Sequence, residues 1–571
     1  MKRLLLRAFA TLLILLTAAP RALSQDSAIL ALTGASAIEE LDESEYERLS
    51  ALKDRPVPIN LAPPRELLSS GLFTRFQAAS IADYRSRDGD ILSLTELGLI
   101  DGFSPELAKA LSPFIDLTPS ASAVSGPRQS KHEAITRLSA KNGSPGYDAK
   151  YRFTGKSGLT LSLTARKSAA ASKDSVLKIS PDTWSFCAEE RSRSGRGKIL
   201  IGDFNARFGQ GLALWSGFSM SGFGGSASFD RHPSYLSPSW SLSPAGPVRG
   251  IGGDYILGRW QLSSALIFNG LRSRMESGKS SIEPVAALNL SRLGSRSELG
   301  ATLLLSTGAN SGQISRAKVS ADLRWTPGKT GFFGEFAWDM IHNAPGAVAG
   351  MIWSPAWQKK VSLAARHYGS GFDSSLTGGI RSGSKCSDES GIALGLTLPR
   401  LEMSADFARY PKRETTLTRI ICRIPLEFSH FSLTPRTSFR WQNAQLRQEY
   451  RLDSRLTISD WTVSGRADLV HCEKTSWHGS FEAGYKSGNA SLYLRSGIFK
   501  ADLWADRIYV YQRDLPGCFN VPALYGRGFI HSLDASLKRK RHSFALHASL
   551  TRYVGDKAPR SEFKIQYSLK L

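Results

Sequence analysis

The sequence predicts a large all-β transmembrane barrel of antiparallel strands, with a small all-α domain in front of it. Three observations indicate this fold class. The 571-residue chain opens with a basic and then apolar segment, and most of the chain beyond residue 130 alternates between apolar and polar side chains. After the opening segment no run reaches the ~18 apolar residues that a membrane helix needs, whereas alternating segments of about ten residues are typical of membrane β-strands.

Residues 1–24 have the pattern of a secretory signal peptide. Lys2 and Arg3 precede a long apolar run, and small residues follow at Ala22 and Ser24. We expect cleavage before Gln25 and export from the cytoplasm, and the lack of a nearby cysteine predicts no lipid anchor.

Residues 25–55 form an acidic leader in which an amphipathic helix is predicted. Its apolar members recur at helical spacing. They are Ile38, Leu41, Tyr46, Leu49 and Leu52. Two interpretations stay open: the helix docks on the domain that follows it, or it binds a protein partner in the periplasm.

Residues 56–117 contain the compact helical pattern of the chain. We predict a short helix over Arg65–Ser69, a tight turn, and a second helix over Phe76–Arg85. The same helix–turn–helix order repeats from Ile91 and ends in a helix near Phe114. Thr74 and Ser104 are predicted N-caps, and Pro105 suits the first position of the last helix.

Three stretches of this domain carry a family resemblance: INLAPPREL at residues 59–67, QAASIADYR at 77–85 and DGFSPELAKAL at 101–111. They resemble the tandem helix-hairpin-helix domain of the ComEA-like competence DNA-binding proteins. The resemblance implies that backbone N–H groups at each hairpin turn hold a phosphate of double-stranded DNA without reading bases. Where that family has two glycines per turn, this chain has Leu72 and Thr74 in the first turn and Ser104 in the second.

The residues that the resemblance implies for phosphate binding lie in and beside the two turns. They are Gly71, Phe73, Thr74, Arg75, Gly102, Phe103, Ser104 and Lys109, with Arg85 and Arg87 as further cations.

The charge of the chain is divided unevenly. The formal net charge is +23, yet residues 25–119 carry eight Lys and Arg against sixteen Asp and Glu, which leaves about +27 for the rest of the mature chain. Phosphate binding depends on cations that release counterions, so the acidic domain is better suited to docking a protein. The cations of the barrel can attract anionic polymers or pair with lipopolysaccharide phosphates.

Residues 118–130 are predicted to be a linker, and residues 131–571 a barrel of roughly 20 to 24 strands. The last strand alternates from Phe563 to Leu571 and resembles the C-terminal signal read by the outer-membrane barrel assembly machinery. Aromatic residues near strand ends predict interfacial girdles. These are Trp184, Trp215, Trp325, Trp353, Trp461, Trp504, Tyr509 and Tyr511.

Two stretches interrupt the alternation, Gly202–Trp215 and Asp506–Phe529. Both resemble signature segments of a family of outer-membrane proteins that join a helix-hairpin-helix domain to a large barrel. Glycine inside a strand marks a bend, a bulge or a close backbone approach. Two interpretations stay open: these stretches are bends, or they line a substrate site in the lumen.

No catalytic, metal-binding or cofactor-binding motif is recognisable. The five cysteines lie far apart without CxxC spacing, and the ten histidines are scattered singly. We therefore predict a non-enzymatic protein without a cofactor or a metal.

We expect the protein to lie in the outer membrane, in contact with lipid and lipopolysaccharide, with its N-terminal domain in the periplasm or the barrel lumen. That domain would serve as a plug or a protein-docking module of a transport or structural protein. The alternative function is periplasmic DNA binding and uptake.

Overall fold

The computed structural model describes residues 29, 32, 43–54, 56–62, 64, 67, 70–73, 75–120, 130–155, 158–169, 180–192, 196–217, 229–231, 233–240, 246–271, 281–294, 296–308, 312–356, 359–555 and 557–571. The predicted signal peptide, most of the predicted linker and the candidate residue Thr74 lie outside these residues. So does the predicted helix over Arg65–Ser69, apart from Leu67.

The N-terminal part of the chain is helical. Its helices are α1 (Glu43–Asp54), α2 (Arg75–Arg87), α3 (Leu94–Leu99) and α4 (Pro105–Leu111). Ser93 caps α3 by accepting a hydrogen bond from the N–H of Glu96, and Ser104 caps α4 in the same way from Leu107. No helix in the described part of the chain is both long and apolar enough to cross a membrane.

One hydrophobic core joins the four helices into a unit that we call the helical module (the described residues between 43 and 117). Ile81 of α2 and Leu97 of α3 are fully buried in it, and Leu49 of α1 packs in the same core. The leader helix therefore docks on the module. Buried Asn60 ties the entry of the module to its second half, because its amide donates to the carbonyl oxygen of Ile91 at 2.9 Å and accepts from the N–H of Ile91 at 2.8 Å.

In the described residues from 131 onward, 24 strands form a closed antiparallel barrel. The strands are β1 (Lys131–Lys141), β2 (Ser144–Thr154), β3 (Thr160–Lys167), β4 (Thr183–Arg191), β5 (Gly197–Arg207), β6 (Val248–Leu257), β7 (Trp260–Asn269), β8 (Glu283–Leu293), β9 (Ser297–Thr307), β10 (Ile314–Trp325), β11 (Thr330–Asp339), β12 (Ala344–Ala356), β13 (Lys359–Tyr368), β14 (Glu389–Leu398), β15 (Leu401–Tyr410), β16 (Thr415–Arg423), β17 (Phe431–Gln442), β18 (Gln445–Ile458), β19 (Trp461–His471), β20 (Thr475–Ser487), β21 (Ala490–Ala501), β22 (Gly526–Arg539), β23 (His542–Tyr553) and β24 (Arg560–Lys570). The predicted large barrel is confirmed.

The barrel closes where its first strand meets its last. β1 pairs with β24 from Glu133 opposite Lys570 to Lys141 opposite Glu562. Because consecutive strands run in opposite directions, the beginning of β1 and the end of β24 lie at the same end of the barrel, which we call the turn end. Its connections include the two-residue turn Pro399–Arg400. The opposite end, the loop end, carries the long connections after β5, β13 and β21.

The two faces of the wall show the reverse of the polarity of a water-soluble protein. On β9, Leu299 and Leu303 are exposed whereas Glu298 and Thr302 are buried. An apolar band of this size in water would drive aggregation, and in hydrocarbon it is stable because a closed barrel satisfies all of its backbone hydrogen bonds. The outward face is therefore the lipid face, and the polar face lines the lumen.

Seven of the eight aromatic residues predicted to form girdles divide into two groups, and the eighth, Trp184, is half-buried near the start of β4. Trp325, Trp353 and Trp461 are about half exposed on the lipid face near the turn end, as expected of an interfacial girdle. The girdle prediction is wrong for Trp215, which is buried, and for Tyr511, which packs against the helical module. Both belong to connections that leave the wall, as do Trp504 and Tyr509, so their position in the sequence does not place them on a barrel strand.

Candidate functional site in the barrel lumen

Three connections of the loop end fold back onto the lumen face of the wall. We call their described residues inner segment 1 (residues 208–217, 229–231 and 233–240), inner segment 2 (residues 369–388) and inner segment 3 (residues 502–525). Each is held by hydrogen bonds to side chains that belong to the polar face of barrel strands. The two stretches that interrupt the alternation of the sequence thus run from the wall into the lumen.

Inner segment 1 is anchored by one carboxylate of β11. Glu335 accepts hydrogen bonds from the backbone N–H groups of Gln210 at 2.6 Å, Leu212 at 3.0 Å and Ala213 at 3.3 Å. Charge-assisted hydrogen bonds of this kind are about twice as strong as neutral ones. The segment turns tightly here, since Gly211 has a φ of +89° and a Cβ at this position would lie 3.1 Å from the backbone of Gly378.

Inner segments 1 and 2 bind each other through their backbones. The N–H of Trp215 donates to the carbonyl oxygen of Leu376 at 2.8 Å, and the N–H of Gly378 donates to that of Gly211 at 2.9 Å. The two segments therefore form one layer on the lumen face. The bend interpretation of Gly202–Trp215 explains Gly211, and the substrate interpretation stays a prediction.

Inner segment 2 is tied to the wall by a buried charge network around Arg366 of β13. Its guanidinium donates to Glu389 at 2.5 Å, to Asp406 at 2.8 Å and to the hydroxyl of Ser382 at 2.8 Å. Only Ser382 belongs to the segment, and its hydroxyl also donates to Asp406. The network holds the segment against β13, β14 and β15.

Inner segment 3 lies across the lumen face from β18 to β24. Arginines of the wall donate to its carbonyl oxygens: Arg466 to Tyr509 at 2.9 Å and Arg495 to Tyr511 at 2.9 Å. Further along, Lys564 of β24 pairs with Asp514 at 2.6 Å. The same segment is thus bonded to several strands on the β24 side of the barrel seam.

The helical module contacts inner segment 3. The rings of Tyr46 in α1 and Phe519 in the segment lie 5.9 Å apart, and Tyr511 and Phe519 pack against the hydrophobic core of the module. Aromatic pairs at this distance add to the free energy gained by burying their surface. The module is therefore connected to the wall through the segment.

The predicted phosphate-binding residues occupy different environments. Gly71 and Gly102 are exposed with φ of +68° and +87°, whereas Phe73 is buried and packs on half-buried Phe103 at a ring distance of 6.2 Å. The two hairpin turns are therefore neighbours. Ser104 uses its hydroxyl as a helix cap.

The cations near the turns are partly committed to other groups. Arg85 donates to the carbonyl oxygen of Ala62 at 2.6 Å, and Arg87 pairs with Asp83 at 2.8 Å. Lys109 is exposed in the last turn of α4, and Arg75 is the first residue of α2.

An arginine that was not among the predicted residues lies at the first turn. Arg48 of α1 donates to the carbonyl oxygen of Ser70, and its guanidinium lies 2.7 Å from where a Cβ of Gly71 would be. The leader helix therefore covers part of this hairpin turn.

A tyrosine–carboxylate pair stabilises the middle of the module. The hydroxyl of Tyr84 donates to Glu96 at 2.5 Å, and Glu96 also accepts from the N–H of Leu92 at 2.7 Å. The hydrogen bond to the carboxylate raises the pKa of Tyr84 to about 12 and lowers the pKa of Glu96. Since the carboxylate is favoured in the folded state, this contribution to stability is present above the ordinary pKa of Glu96 and is lost as the pH falls through its lowered value.

We expect the phenol of Tyr84 to ionise well above an ordinary tyrosine. In full-length protein labelled with ¹³C at the tyrosine Cζ, its resonance should titrate near pH 12, and Glu96→Gln should bring the midpoint toward 10, because the charge that opposes ionisation is gone. Tyr84→Phe assigns the resonance. A midpoint that Glu96→Gln leaves unchanged would contradict the pair.

The chemistry of the described residues does not point to a metal centre. No group of three or more His, Cys, Asp or Glu side chains among them is arranged to hold a metal ion. All five cysteines are free thiols, and Cys187 and Cys386 are buried.

Comparison with known proteins gives matches among solved structures. No protein-family model and no curated protein matches the chain. The P pilus usher (PapC) translocation pore is 10% identical, covering 78% of this chain and 99% of its own, with a TM-score of 0.40. OprD of Pseudomonas aeruginosa is 8% identical over 77% and 94%, with a TM-score of 0.29. The KdgM porin in complex with disordered oligogalacturonate is 11% identical over 32% and 91%, with a TM-score of 0.17.

Proposed function

We propose that the chain is an outer-membrane channel protein whose lumen is narrowed by its inner segments and obstructed by the helical module as a plug. The observation that carries this proposal is the contact between Tyr46 of the module and Phe519 of inner segment 3. The predicted signal peptide and the apolar outward face support a place in the outer membrane. The barrel assembly machinery and lipopolysaccharide are the partners that such a location implies.

The size of the barrel makes an obstruction necessary. The interior of a barrel widens roughly in proportion to its strand number, and barrels of 16–18 strands already leave an aqueous channel. A barrel of 24 strands without contents would be an open pore. The inner segments are fixed to the wall by ionic and backbone hydrogen bonds, and the module packs on inner segment 3 through the rings of Tyr46 and Phe519. We infer that the module is the part that can leave.

We expect Phe519→Ala to increase the conductance of the full-length protein in planar bilayers several-fold. The substitution removes the ring that Tyr46 packs on, and an aromatic pair of this kind contributes about 0.5–1.5 kcal/mol beyond the burial of its surface. Tyr46→Ala should have the same effect.

Tyr509→Ala is the matched control for this experiment. Tyr509 is an aromatic residue of the same segment, but it is 47% exposed and does not belong to the core of the module. Tyr509→Ala should therefore conduct like the parent protein. If Phe519→Ala and Tyr46→Ala also conduct like the parent protein, the module does not obstruct the lumen.

DNA binding by the hairpin turns is the second candidate function. The exposed glycines Gly71 and Gly102 keep backbone N–H groups near the surface, and Lys109 lies exposed on α4. Binding of duplex DNA to the full-length protein should then weaken steeply as the salt concentration rises. Lys109→Gln should reduce the slope of the logarithm of the binding constant against the logarithm of the salt concentration by about one. A response that is flat with salt rules out phosphate contacts and leaves a periplasmic protein as the partner of the module.

A further inference from the structure

We propose that the lumen face of β16, β17 and β18 binds the carboxylate or phosphate groups of an anionic solute that enters the barrel. This inference rests on the proposed channel function and names the class of substrate. It is carried by six arginines that the strand register brings side by side, which we call the arginine grid: Arg419, Arg423, Arg436, Arg440, Arg447 and Arg451.

The grid consists of two rows that cross three strands. In the first row, Arg440 of β17 lies directly opposite both Arg419 and Arg447. In the second row, Arg436 lies directly opposite both Arg423 and Arg451. Directly opposite side chains on one face have Cβ atoms about 4.5–5.5 Å apart, and like charges in such pairs are destabilising.

The two rows are separated by four residues along each strand. At about 3.3 Å per residue, they lie about 13 Å apart along the lumen wall.

The neighbouring carboxylates do not balance this charge. The three strands carry seven arginines and two carboxylates, Glu449 and Asp453. Glu449 pairs with Arg447 at 2.7 Å and Asp453 with Arg451 at 2.5 Å. From β15, Glu402 pairs with Arg423 at 2.9 Å.

The carboxylate next to the first row is also occupied. Asp406 of β15 lies opposite Arg419, but it already accepts hydrogen bonds from Arg366 and Ser382. The grid therefore keeps an excess of positive charge on the lumen wall.

Hydrogen-bond donors are left over as well. Arg440 donates to the neutral amide oxygen of Gln442 at 2.8 Å. The buried Nε atoms of Arg440 and Arg423 have no hydrogen-bond acceptor among the described residues. Guanidinium groups match carboxylates and phosphates with two parallel hydrogen bonds, so an oxyanion between neighbouring arginines would satisfy donors and relieve the repulsion.

Water can reach this part of the lumen. Lumen-facing side chains such as Lys318 and Ser320 of β10 are buried beneath the inner segments. By contrast, every arginine of the grid keeps part of its surface exposed, and the side chains of Arg423, Arg447 and Arg451 are 15–17% exposed. At the loop end of the grid, Arg447 donates to the carbonyl oxygens of Ala505 and Arg507 in inner segment 3, so a bound solute would lie beside that segment.

The test measures oxyanion binding to the full-length protein in detergent, at constant low ionic strength. Tripolyphosphate is the probe for phosphate groups and citrate is the probe for carboxylate groups, with acetate as the monovalent comparison. We expect both multivalent probes to raise Tm in a saturable way, and Arg436→Gln/Arg440→Gln to raise the apparent Kd at least tenfold. Without probe, the double variant should be at least as stable as the parent, because two like charges have gone.

Two further variants make the result decisive. Arg292→Gln removes one arginine from an exposed position on the outward face of β8 and should leave probe binding unchanged. Arg436→Lys/Arg440→Lys keeps the charge but loses the planar fork, and should weaken binding less than the glutamine pair. If probe affinity changes less than twofold in the glutamine pair, or if no probe shifts Tm of the parent, the grid is not an oxyanion site.

The result is independent of whether the helical module is a plug. If the probes bind but neither Phe519→Ala nor Tyr46→Ala raises the conductance, the plug is overturned and the oxyanion site of the grid stands. A rise in conductance without probe binding would do the opposite.

Discussion

Replacing Arg366 by glutamine is expected to lower the free energy of unfolding by about 3–5 kcal/mol. The Arg366 side chain is 1% exposed and pairs with Glu389 at 2.5 Å and Asp406 at 2.8 Å. Without the guanidinium, two carboxylates stay buried next to each other and lack their cation. Urea unfolding in detergent micelles, followed by circular dichroism, measures the difference.

Strand β15, two strands away from β13, offers a matched control for this substitution. Arg409 of β15 is exposed on the outward face, and surface substitutions usually change stability by less than about 0.5 kcal/mol. Arg409→Gln should therefore unfold like the parent protein. Equal stability of Arg366→Gln and the parent would show that the buried network does not stabilise the fold.

Glu335→Gln is expected to loosen inner segment 1 without unfolding the barrel. The neutral amide keeps one acceptor oxygen but loses the charge that strengthens the hydrogen bonds from Gln210, Leu212 and Ala213. A loss of about 2 kcal/mol in the local opening free energy corresponds to roughly thirtyfold faster amide exchange in these residues. Hydrogen exchange with mass spectrometry of the peptides that cover residues 208–217 reports it.

Glu402→Gln separates this effect from a general loss of stability. Like Glu335, Glu402 faces the lumen, but it forms an ion pair with Arg423 and does not bond to inner segment 1 in the contacts described. The variant should leave exchange in residues 208–217 at the parental rate. If both variants accelerate exchange there equally, Glu335 is not the specific anchor of the segment.

Much of the barrel wall could be predicted from the sequence because the alternation of apolar and polar side chains can be read within a single strand. The alternation of Leu299 and Leu303 with Glu298 and Thr302 indicates the two faces of β9 before any partner strand is known. In the helical module, Ser104 indicates the start of α4 because a cap depends on residues three positions away. Both signals lie within a few residues of the feature that they predict.

The lumen could not be predicted in the same way. Glu335 and Gln210 meet across 125 positions of sequence, and the same alternation would have fitted a carboxylate that faces open water. Trp215 is of the residue type that forms girdles, yet the last residue of strand β5 is Arg207 and the chain has left the wall before it reaches Trp215. The arginine grid depends on the register of three strands, so Arg423 and Arg436 become neighbours only when the hairpin between them is paired.

The seam between β1 and β24 determines when this wall can come into existence. Arg137 and Gln566 bond across it at 2.8 Å although 429 positions separate them. Closing so long a loop costs entropy that only the completed pairing repays, so the seam belongs to the slowest part of assembly. A chain that stops short of Arg560 would therefore not be a narrower pore. It would be an open sheet with two unpaired edges, prone to join the edges of its neighbours.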